Sequence, residues 1–285
     1  MRATEELAAP AARCARLVRI YPSATGETHA LRGVDATFPR STVTAVTGPS
    51  GSGKSSLLSV LALRERQSGG ELEIDGRDVA SLGAKELRLL RRRGVAWVDQ
   101  RPTRSLFPHL AAVEQVEQAA RLRGADLDDC DALLDRLGLS SRRGARVGRL
   151  SGGEQQRVAV AVAVVGTPSL VVADEPTAEL DDESSGLVLA ELRRCAAAGA
   201  GVVFASHDRR AVDVAARVLH LRHGVLSTES RGTGPATATI DSTGRLQLPP
   251  EALALFPQGR AQVLVDGAGV RLLPPEDGAG SHGAG

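Results

Sequence analysis

The segment GPSGSGKS, residues 48–55, constrains the fold of this chain more than any other part of its sequence. It matches the pattern GxxxxGK[ST], in which backbone N–H groups of a glycine-rich loop surround a phosphate group. An apolar run, TVTAVTG, leads into the loop and a second, SSLLSVLAL, follows it. These runs predict a strand before the loop and a helix after it, and the helix N-terminus favours an anion. The segment therefore predicts a nucleoside-phosphate site in an α/β fold.

The side chains of this loop predict specific contacts. Lys54 would reach the β- and γ-phosphates, and the Ser55 hydroxyl would bind Mg²⁺. Lys54 and Lys85 are the only lysines in a chain that otherwise uses arginine. A compact ammonium suits a tight loop better than a bulkier guanidinium. We predict that the nucleotide is bound by Gly48, Pro49, Ser50, Gly51, Ser52, Gly53, Lys54, Ser55 and Ser56.

A second motif, SLVVADE, is an apolar strand that ends in two carboxylates, Asp174 and Glu175. Asp174 would hold Mg²⁺ through water, and Glu175 would polarise the attacking water. Taken alone, the same residues would also fit a solvated acidic loop. Together with the phosphate loop they predict nucleotide hydrolysis.

The third motif is LSGGEQQR, residues 150–157. Ser151, Gly152 and Gly153 form a small polar turn before a helix, which is a second anion site, although alone it could be a simple helix start. The motif resembles the signature sequence of the ABC ATPase family, and the order of motifs matches that family along most of the chain. The resemblance implies that this turn contacts the γ-phosphate of ATP bound to a second subunit, so that two subunits enclose two ATP molecules.

The resemblance implies roles for four further residues. Gln100 looks like the Q-loop glutamine, which senses Mg²⁺ and the permease-facing region. His207 looks like the switch histidine that orients water with Glu175, although a lone histidine after a strand is usually structural. Asp181 is similar to the D-loop aspartate that couples the two sites. Tyr21, the only tyrosine, stands where the family stacks an aromatic ring on adenine, but it could equally be a core residue.

Several positions depart from the family pattern. Val162 stands where many relatives have arginine. Ala178 and Glu179 replace the more usual Ser-Ala or Gly-Asn. Asp99 stands where an apolar or aromatic residue is commoner. None of these changes removes a group that touches phosphate. We therefore expect ATPase activity to be kept. The rate of hydrolysis and the coupling between the two sites are the properties that these departures would alter.

At 285 residues the chain can bury one large core and a small second unit. The resemblance implies an α/β P-loop NTPase of ABC ATPase type, with a parallel-sheet core, an antiparallel β subdomain and a helical subdomain. We predict an ATPase domain at 1–227, with its helical subdomain at about 101–155. Residues 228–237 are rich in Gly, Ser, Thr and Pro and predict a linker.

Residues 238–275 predict a small β-rich module with a short helix and a closing hairpin that turns at Asp266-Gly267. They resemble the swapped-hairpin modules of AbrB-type regulators and antitoxins, which implies a dimer because one copy buries too little apolar surface. A dimerisation clamp is favoured over a plain structural extension. DNA binding is the least favoured reading, because acidic residues offset the arginines of the module. The tail, 276–285, predicts disorder.

Charge, cysteine content and apolar runs limit the kinds of partner and the compartment that we expect for this chain. The formal net charge of +1 implies neither a strongly basic nucleic-acid surface nor an acidic tail. Three widely spaced cysteines argue against disulfides and zinc, and fit a reducing compartment. The N-terminus has no apolar signal-peptide core, and no apolar run reaches the roughly 18 residues of a spanning helix. We therefore expect contact with a membrane only through a partner.

The resemblance as a whole implies an ATP- and Mg²⁺-dependent ATPase subunit of a transporter. It would work as a homodimer, or as a heterodimer with a second ATPase subunit, at the cytoplasmic face of the membrane on a separate permease. The context of Tyr21 and the segment after Gln100 look most like the group serving lipoprotein, macrolide and peptide export. The permease would contact the region of Gln100 and 101–109. The alternatives are a soluble ABC ATPase of translation or DNA repair, and an ATP-dependent regulator with a DNA-binding C-terminal module.

Overall fold

The computed structural model describes residues 9–23, 26–232, 237–241, 243–248, 250–256, 260–267 and 269–274. The predicted disordered tail at 276–285 lies outside these residues. Among the described helices, none combines the length and apolarity needed to cross a bilayer.

A mostly parallel sheet forms the centre of the fold. Its strand order is β11-β10-β9-β3-β8-β7-β6, with β9, β3, β8, β7 and β6 parallel and the other two strands antiparallel at one edge. Strands β7 and β8 are buried along almost their whole length, as expected for short valine-rich strands covered on both faces. The strands are β3 (Thr42–Thr47), β6 (Val95–Val98), β7 (Leu170–Asp174), β8 (Gly201–Ala205), β9 (Arg217–Arg222), β10 (Val225–Arg231) and β11 (Thr237–Ala238).

A second, antiparallel sheet has the order β2-β1-β4-β5. Its apolar side and the helix after the phosphate loop share one buried cluster, which includes Leu17, Phe38 and Leu57. This sheet is the antiparallel β subdomain that the resemblance implied. Its strands are β1 (Ala12–Ser23), β2 (Gly26–Phe38), β4 (Gly69–Ile74) and β5 (Arg77–Asp78).

The helices cover the central sheet and form a lobe beside it. In the lobe, α3 and α4 pack against α5 through a second buried cluster that includes Leu133, Leu134 and Val158. The helices are α1 (Lys54–Leu61), α2 (Ala84–Leu89), α3 (Ala112–Arg123), α4 (Asp128–Arg136), α5 (Gly152–Val164), α6 (Asp182–Ala197), α7 (Arg209–Asp213) and α8 (Pro250–Leu253). A π-helical turn, Leu90–Gly94, continues α2, and short 3₁₀ turns lie at Val79–Ser81, Pro102–Arg104, Ser140–Arg142 and Val147–Arg149.

The end of the ATPase domain differs from the prediction. A linker was expected at 228–237, but β10 continues to Arg231, and Thr237–Ala238 pairs with it as β11. An ion pair links β10 to the neighbouring strand β9. Both carboxylate oxygens of Glu229 accept hydrogen bonds from the Arg217 guanidinium, at 2.8 and 2.9 Å. The predicted boundary after 227 therefore falls inside strand β10.

This ion pair is expected to make the free energy of unfolding depend on pH. Hydrogen bonds from Arg217, together with Arg231, lower the pKa of Glu229 to about 2. A depressed folded pKa stabilises the fold above the unfolded value of about 4.3, and that stabilisation is lost as the pH falls towards 2. We expect Glu229→Gln to lower the free energy of unfolding at pH 7 by about 1–3 kcal/mol, because the buried Arg217 loses its charged acceptor. Urea unfolding at pH 7, 4 and 3 should show this difference shrinking with acid, and a pH-independent difference would contradict it.

The first C-terminal residues after β11 lie next to β2, and a separate hairpin follows. Ile240 and Leu246 pair in an antiparallel bridge, and Asp241 accepts hydrogen bonds from backbone N–H groups between them. Arg245 donates from Nη2 to the Arg32 carbonyl at 3.3 Å. The hairpin consists of β12 (Gln262–Asp266) and β13 (Gly269–Leu273), so β12 ends at the predicted turn.

Candidate functional site

The phosphate loop connects β3 to α1, as the sequence predicted. Gly48 has φ +144°, and a Cβ there would lie 2.0 Å from the Leu221 carbonyl oxygen. Gly53 has φ +104°, and a Cβ there would lie 2.4 Å from the Ala30 carbonyl oxygen. The loop backbone therefore packs directly against β9 and β2, and only glycine fits at these two positions. Pro49, Ser50 and Gly51 form its exposed tip.

The Lys54 ammonium lies inside this loop. Its side chain is buried, and Nζ donates to the carbonyl oxygens of Gly48 at 2.8 Å and Pro49 at 3.2 Å. The Ser52 hydroxyl is also buried and has no hydrogen-bond partner in the described part of the chain. A buried cation and an unsatisfied hydroxyl in one loop fit an anion such as a phosphate group.

Asp174 is the last residue of β7 and faces the start of α1. Burial raises the pKa of its carboxyl, the charge of Asp99 adds to this rise, and the hydrogen bond to Ser55 and the charge of Lys54 oppose it. Mg²⁺ is usually bound by one or two carboxylates together with substrate phosphates. The pairing of Asp174 with the Ser55 hydroxyl beside a phosphate loop therefore fits Mg²⁺.

Glu175 and His207 follow neighbouring strands. Asp174 pairs with Ala205 in the parallel register, and the Glu175 N–H donates to the Ala205 carbonyl at 3.0 Å. The His207 backbone N–H donates to Glu175 Oε2 at 3.3 Å, and His207 Nε2 lies 3.5 Å from Oε1. Glu175 has φ +47°, a strained conformation for a non-glycine residue that tends to occur at functional sites. The structure thus brings together the two residues predicted to orient water.

The signature turn begins α5. Ser151 caps the helix by accepting from the Glu154 N–H at 3.2 Å, and Glu154 accepts from the Ser151 N–H at 2.8 Å. This capping box fixes the turn while Ser151 and Gly152 stay exposed and Gly153 is half-buried. The exposed helix N-terminus is available to an anion from outside this chain.

Two other predicted residues have contacts that the sequence did not indicate. Asp181 caps α6 by accepting from the Ser184 N–H at 2.7 Å, which lowers the pKa of Asp181. The Tyr21 hydroxyl donates to Glu65 at 2.6 Å, and lies 3.3 Å from Ser56 Oγ beside the loop. The guanidinium of Arg19 lies 4.4 Å from the centre of the Tyr21 ring. Their predicted roles, in coupling and in adenine stacking, stay predictions.

Gln100 lies at the same edge of the sheet as Asp174 and Glu175. It is exposed two residues after Val98, which pairs with Ala173 in the neighbouring strand β7. Its predicted role at a metal site stays a prediction.

The sequence did not indicate a role for Gln156. This buried side chain donates from Nε2 to the carbonyl oxygens of Asp99 at 3.3 Å and Pro176 at 3.4 Å. It therefore connects α5 to the segments that follow β6 and β7. The signal that could have found it is a polar residue on the otherwise apolar buried face of α5.

Comparisons with known proteins agree with this geometry. The family model described as ABC transporter matches residues 31–178. The macrolide export ATP-binding/permease protein MacB 1/2 of Paracoccus denitrificans is 41% identical over 235 residues, which cover 81% of this chain and 35% of that protein. The pyoverdine export ATP-binding/permease protein PvdT of Pseudomonas fluorescens is 37% identical, over 78% of this chain and 34% of that protein. The chain spans about a third of the length of these curated relatives.

Solved structures share the fold. A dimeric, post-hydrolysis ATP-binding cassette bound to ADP and Pi superposes with a TM-score of 0.72 at 27% identity, covering 79% of this chain and 100% of that one. A dimeric bacterial ABC transporter cassette superposes with a TM-score of 0.71 at 27% identity, with the same coverage. The family match covers more than half of the chain, and its motifs occupy the geometry described above. The chain therefore belongs to the ABC transporter family and contains its ATP-binding cassette.

Proposed function

We propose that this chain binds and hydrolyses ATP and thereby drives a membrane permease. The observation that carries the proposal is the convergence of Lys54, Ser55, Asp174, Glu175 and His207 at one edge of the central sheet. Parallel α/β sheets bind ligands at the carboxyl ends of their strands, and this is the edge where these residues lie.

Each residue then has a defined task. Lys54 and the loop N–H groups bind the β- and γ-phosphates, and Tyr21 stacks on adenine. Ser55, Asp174 and Gln100 would hold Mg²⁺, which neutralises charge on the phosphate oxygens. Glu175 accepts a proton from the attacking water, and His207 keeps the water and the Glu175 carboxylate aligned.

Two copies would complete each site. The relatives of known structure described above are dimeric. The exposed turn at Ser151, Gly152 and Gly153 offers the N–H groups of its two glycines to the γ-phosphate bound by a second subunit, and Asp181 would couple the two sites. The second subunit is a copy of this chain or a different ATPase subunit.

The permease is proposed from the relatives, which are export ATP-binding/permease proteins. The segment 101–109 would contact it at the cytoplasmic face of the membrane, since Phe107 is half-exposed there beside exposed Arg101 and Arg104. The test is to trap Glu175→Gln with ATP in its native cells and to identify by mass spectrometry what co-purifies from solubilised membranes. A multi-span permease supports the proposal. Ribosomes, DNA or repair proteins without a permease would overturn it in favour of a soluble ABC ATPase.

The C-terminal hairpin favours an additional role as a dimerisation clamp. The register of β12 and β13 places Val263, Val265, Val270 and Leu272 on one face. The three valines are 57%, 76% and 64% exposed. A two-stranded hairpin with a bare apolar face is marginally stable alone, and two copies could cover each other's faces. Because the face carries no charge, a phosphate backbone is a poor partner for it.

We expect Val265→Asp to weaken nucleotide-free dimers, raising the dissociation constant by about tenfold or more, because an unpaired carboxylate would be buried between the faces. Sedimentation velocity measures the change. Gln262→Asp is the matched control, since it places the same carboxylate on the opposite face of β12. An identical monomer–dimer balance in wild type and Val265→Asp would favour a plain structural extension, and salt-sensitive DNA retention by the wild type would favour a DNA-binding module.

A further inference from the structure

Asp99 is a buried carboxylate immediately before Gln100, at a position where the family commonly has an apolar or aromatic residue. Only 6% of the residue is exposed. Its Oδ2 accepts from the Trp97 indole N–H at 3.3 Å, and its Oδ1 accepts from the Arg101 backbone N–H at 3.1 Å. The Asp99 side chain is therefore hydrogen-bonded on both sides of Gln100, to the end of β6 and to the start of the segment 101–109.

Two guanidinium groups flank this carboxylate from different parts of the fold. Arg64 Nη2 lies 3.9 Å from Oδ2, and Arg104 Nη1 lies 3.9 Å from Oδ1. Arg64 follows α1, the helix that begins with Lys54, and its guanidinium also lies 5.1 Å from the centre of the Trp97 ring. A buried carboxylate needs such partners, because leaving its charge unpaired is strongly destabilising.

The backbone of Asp99 is attached to a third element. Gln156 of α5 donates to the Asp99 carbonyl and to the Pro176 carbonyl, next to Glu175. Asp99 thus contacts Arg64, which directly follows the phosphate-loop helix, Gln156 of the signature helix and residues of the segment 101–109. A shift of either helix relative to β6 must move or break these contacts.

We propose that Asp99 is a positioning residue that holds Gln100 and the segment 101–109 in register with α1 and α5, so that ATP binding changes the conformation of this segment. The proposal rests on the proposed function, because it assigns a mechanical role to the segment given there to the permease. It differs from the roles of Lys54, Glu175 and His207, since Asp99 acts through its neighbours and not on the nucleotide.

Trp97 provides a direct readout, because it is the only tryptophan in the chain and its indole N–H is bonded to Asp99. The emission of the full-length wild type is expected to shift as Mg²⁺ and ATP are added. In Asp99→Asn, the amide keeps one oxygen acceptor but loses the charge that attracts Arg64 and Arg104. We expect the ATP-dependent shift of Trp97 emission to be lost while ATP still binds in equilibrium dialysis. The kcat should fall by about 3- to 30-fold with KM within about twofold, because coupling is altered and the phosphate contacts are not.

A readout without nucleotide keeps the two proposals separable. Trypsin can cut after Arg104. In Asp99→Asn without nucleotide, Arg104 is no longer held by Asp99, so cleavage between Arg104 and Ser105 should be faster by about threefold or more, because local opening exposes the backbone. The matched control is Glu191→Gln in α6. It also removes a buried carboxylate that is held by two arginines, Arg136 at 2.9 Å and Arg194 at 3.6 Å. It should lower Tm without changing Trp97 emission, the KM-to-kcat pattern or cleavage at Arg104.

The outcomes are distinct. Asp99→Asn with wild-type emission shift, kinetics and cleavage would overturn the positioning role, as would changes that Glu191→Gln reproduces. If the wild type itself neither binds nor hydrolyses ATP, the proposed function fails, and the cleavage rate without nucleotide still decides whether Asp99 holds the segment.

Discussion

Glu175→Gln is expected to lower ATP turnover by about a hundredfold to a thousandfold, which is the contribution typical of a positioned general base. The glutamine keeps the size of the side chain, but its amide cannot accept a proton from the attacking water. The carboxylate is well placed for that task, since it lies 3.5 Å from His207 Nε2 and directly follows Asp174. Phosphate release under saturating ATP and Mg²⁺ measures the loss.

ATP binding should survive this substitution within about twofold, because the phosphates are bound by other groups and a negative charge beside them is removed. The variant should therefore accumulate as an ATP-bound dimer in sedimentation experiments. Glu183→Gln is a suitable control, because it removes an exposed carboxylate from the first turn of α6 and should leave turnover unchanged. Unchanged turnover in Glu175→Gln would remove Glu175 from its proposed role.

The local parts of this site could be predicted because each one is a short pattern with its own physical signature. The phosphate loop, the strand before it and the helix after it are contiguous in the sequence, and so are Asp174 and Glu175. Their meeting with His207 is a different matter. It depends on β8 lying between β3 and β7, and no local pattern states that order. The resemblance to a family supplied it.

Several contacts that the sequence did not reveal join different elements of the fold. The segment 228–231 has the composition of a loop, yet it forms a strand in which Glu229 binds Arg217 of the neighbouring strand. The hydrogen bond from Tyr21 to Glu65 likewise joins residues that are distant in the chain. Strand formation depends on cross-strand partners more than on intrinsic preference, so a polar edge segment is hard to recognise before its partner is known.

Asp99 shows the same limit at the site itself. In the sequence it is only a departure from a family pattern, with no indication of its consequence. Its meaning depends on Arg64 and Arg104, which lie on either side of it in the chain and approach the same carboxylate in the fold. A buried charge is acceptable only where such partners exist, so the substitution and its neighbours have to be read together.

Lys54→Arg is expected to weaken ATP binding by about a hundredfold to a thousandfold, although it conserves the charge. The Lys54 ammonium fits between the carbonyl oxygens of Gly48 and Pro49, at 2.8 and 3.2 Å. A planar guanidinium is larger and offers its donors in a fixed fork, so it cannot make the same contacts. Losing two hydrogen bonds to charged phosphate oxygens, each worth about 1.5–2 kcal/mol, accounts for this range.

The loop cannot widen to admit the larger group, because its backbone already touches its neighbours. At Gly48 and Gly53 even a methyl group would lie 2.0 and 2.4 Å from carbonyl oxygens of β9 and β2. Lys85→Arg is the matched control, since Lys85 is the only other lysine and lies exposed in α2. Equilibrium dialysis with ATP and Mg²⁺ compares the two variants. If Lys54→Arg bound ATP as tightly as Lys85→Arg, a positive charge alone would be enough, and the tight geometry of the loop would not determine how this chain binds phosphate.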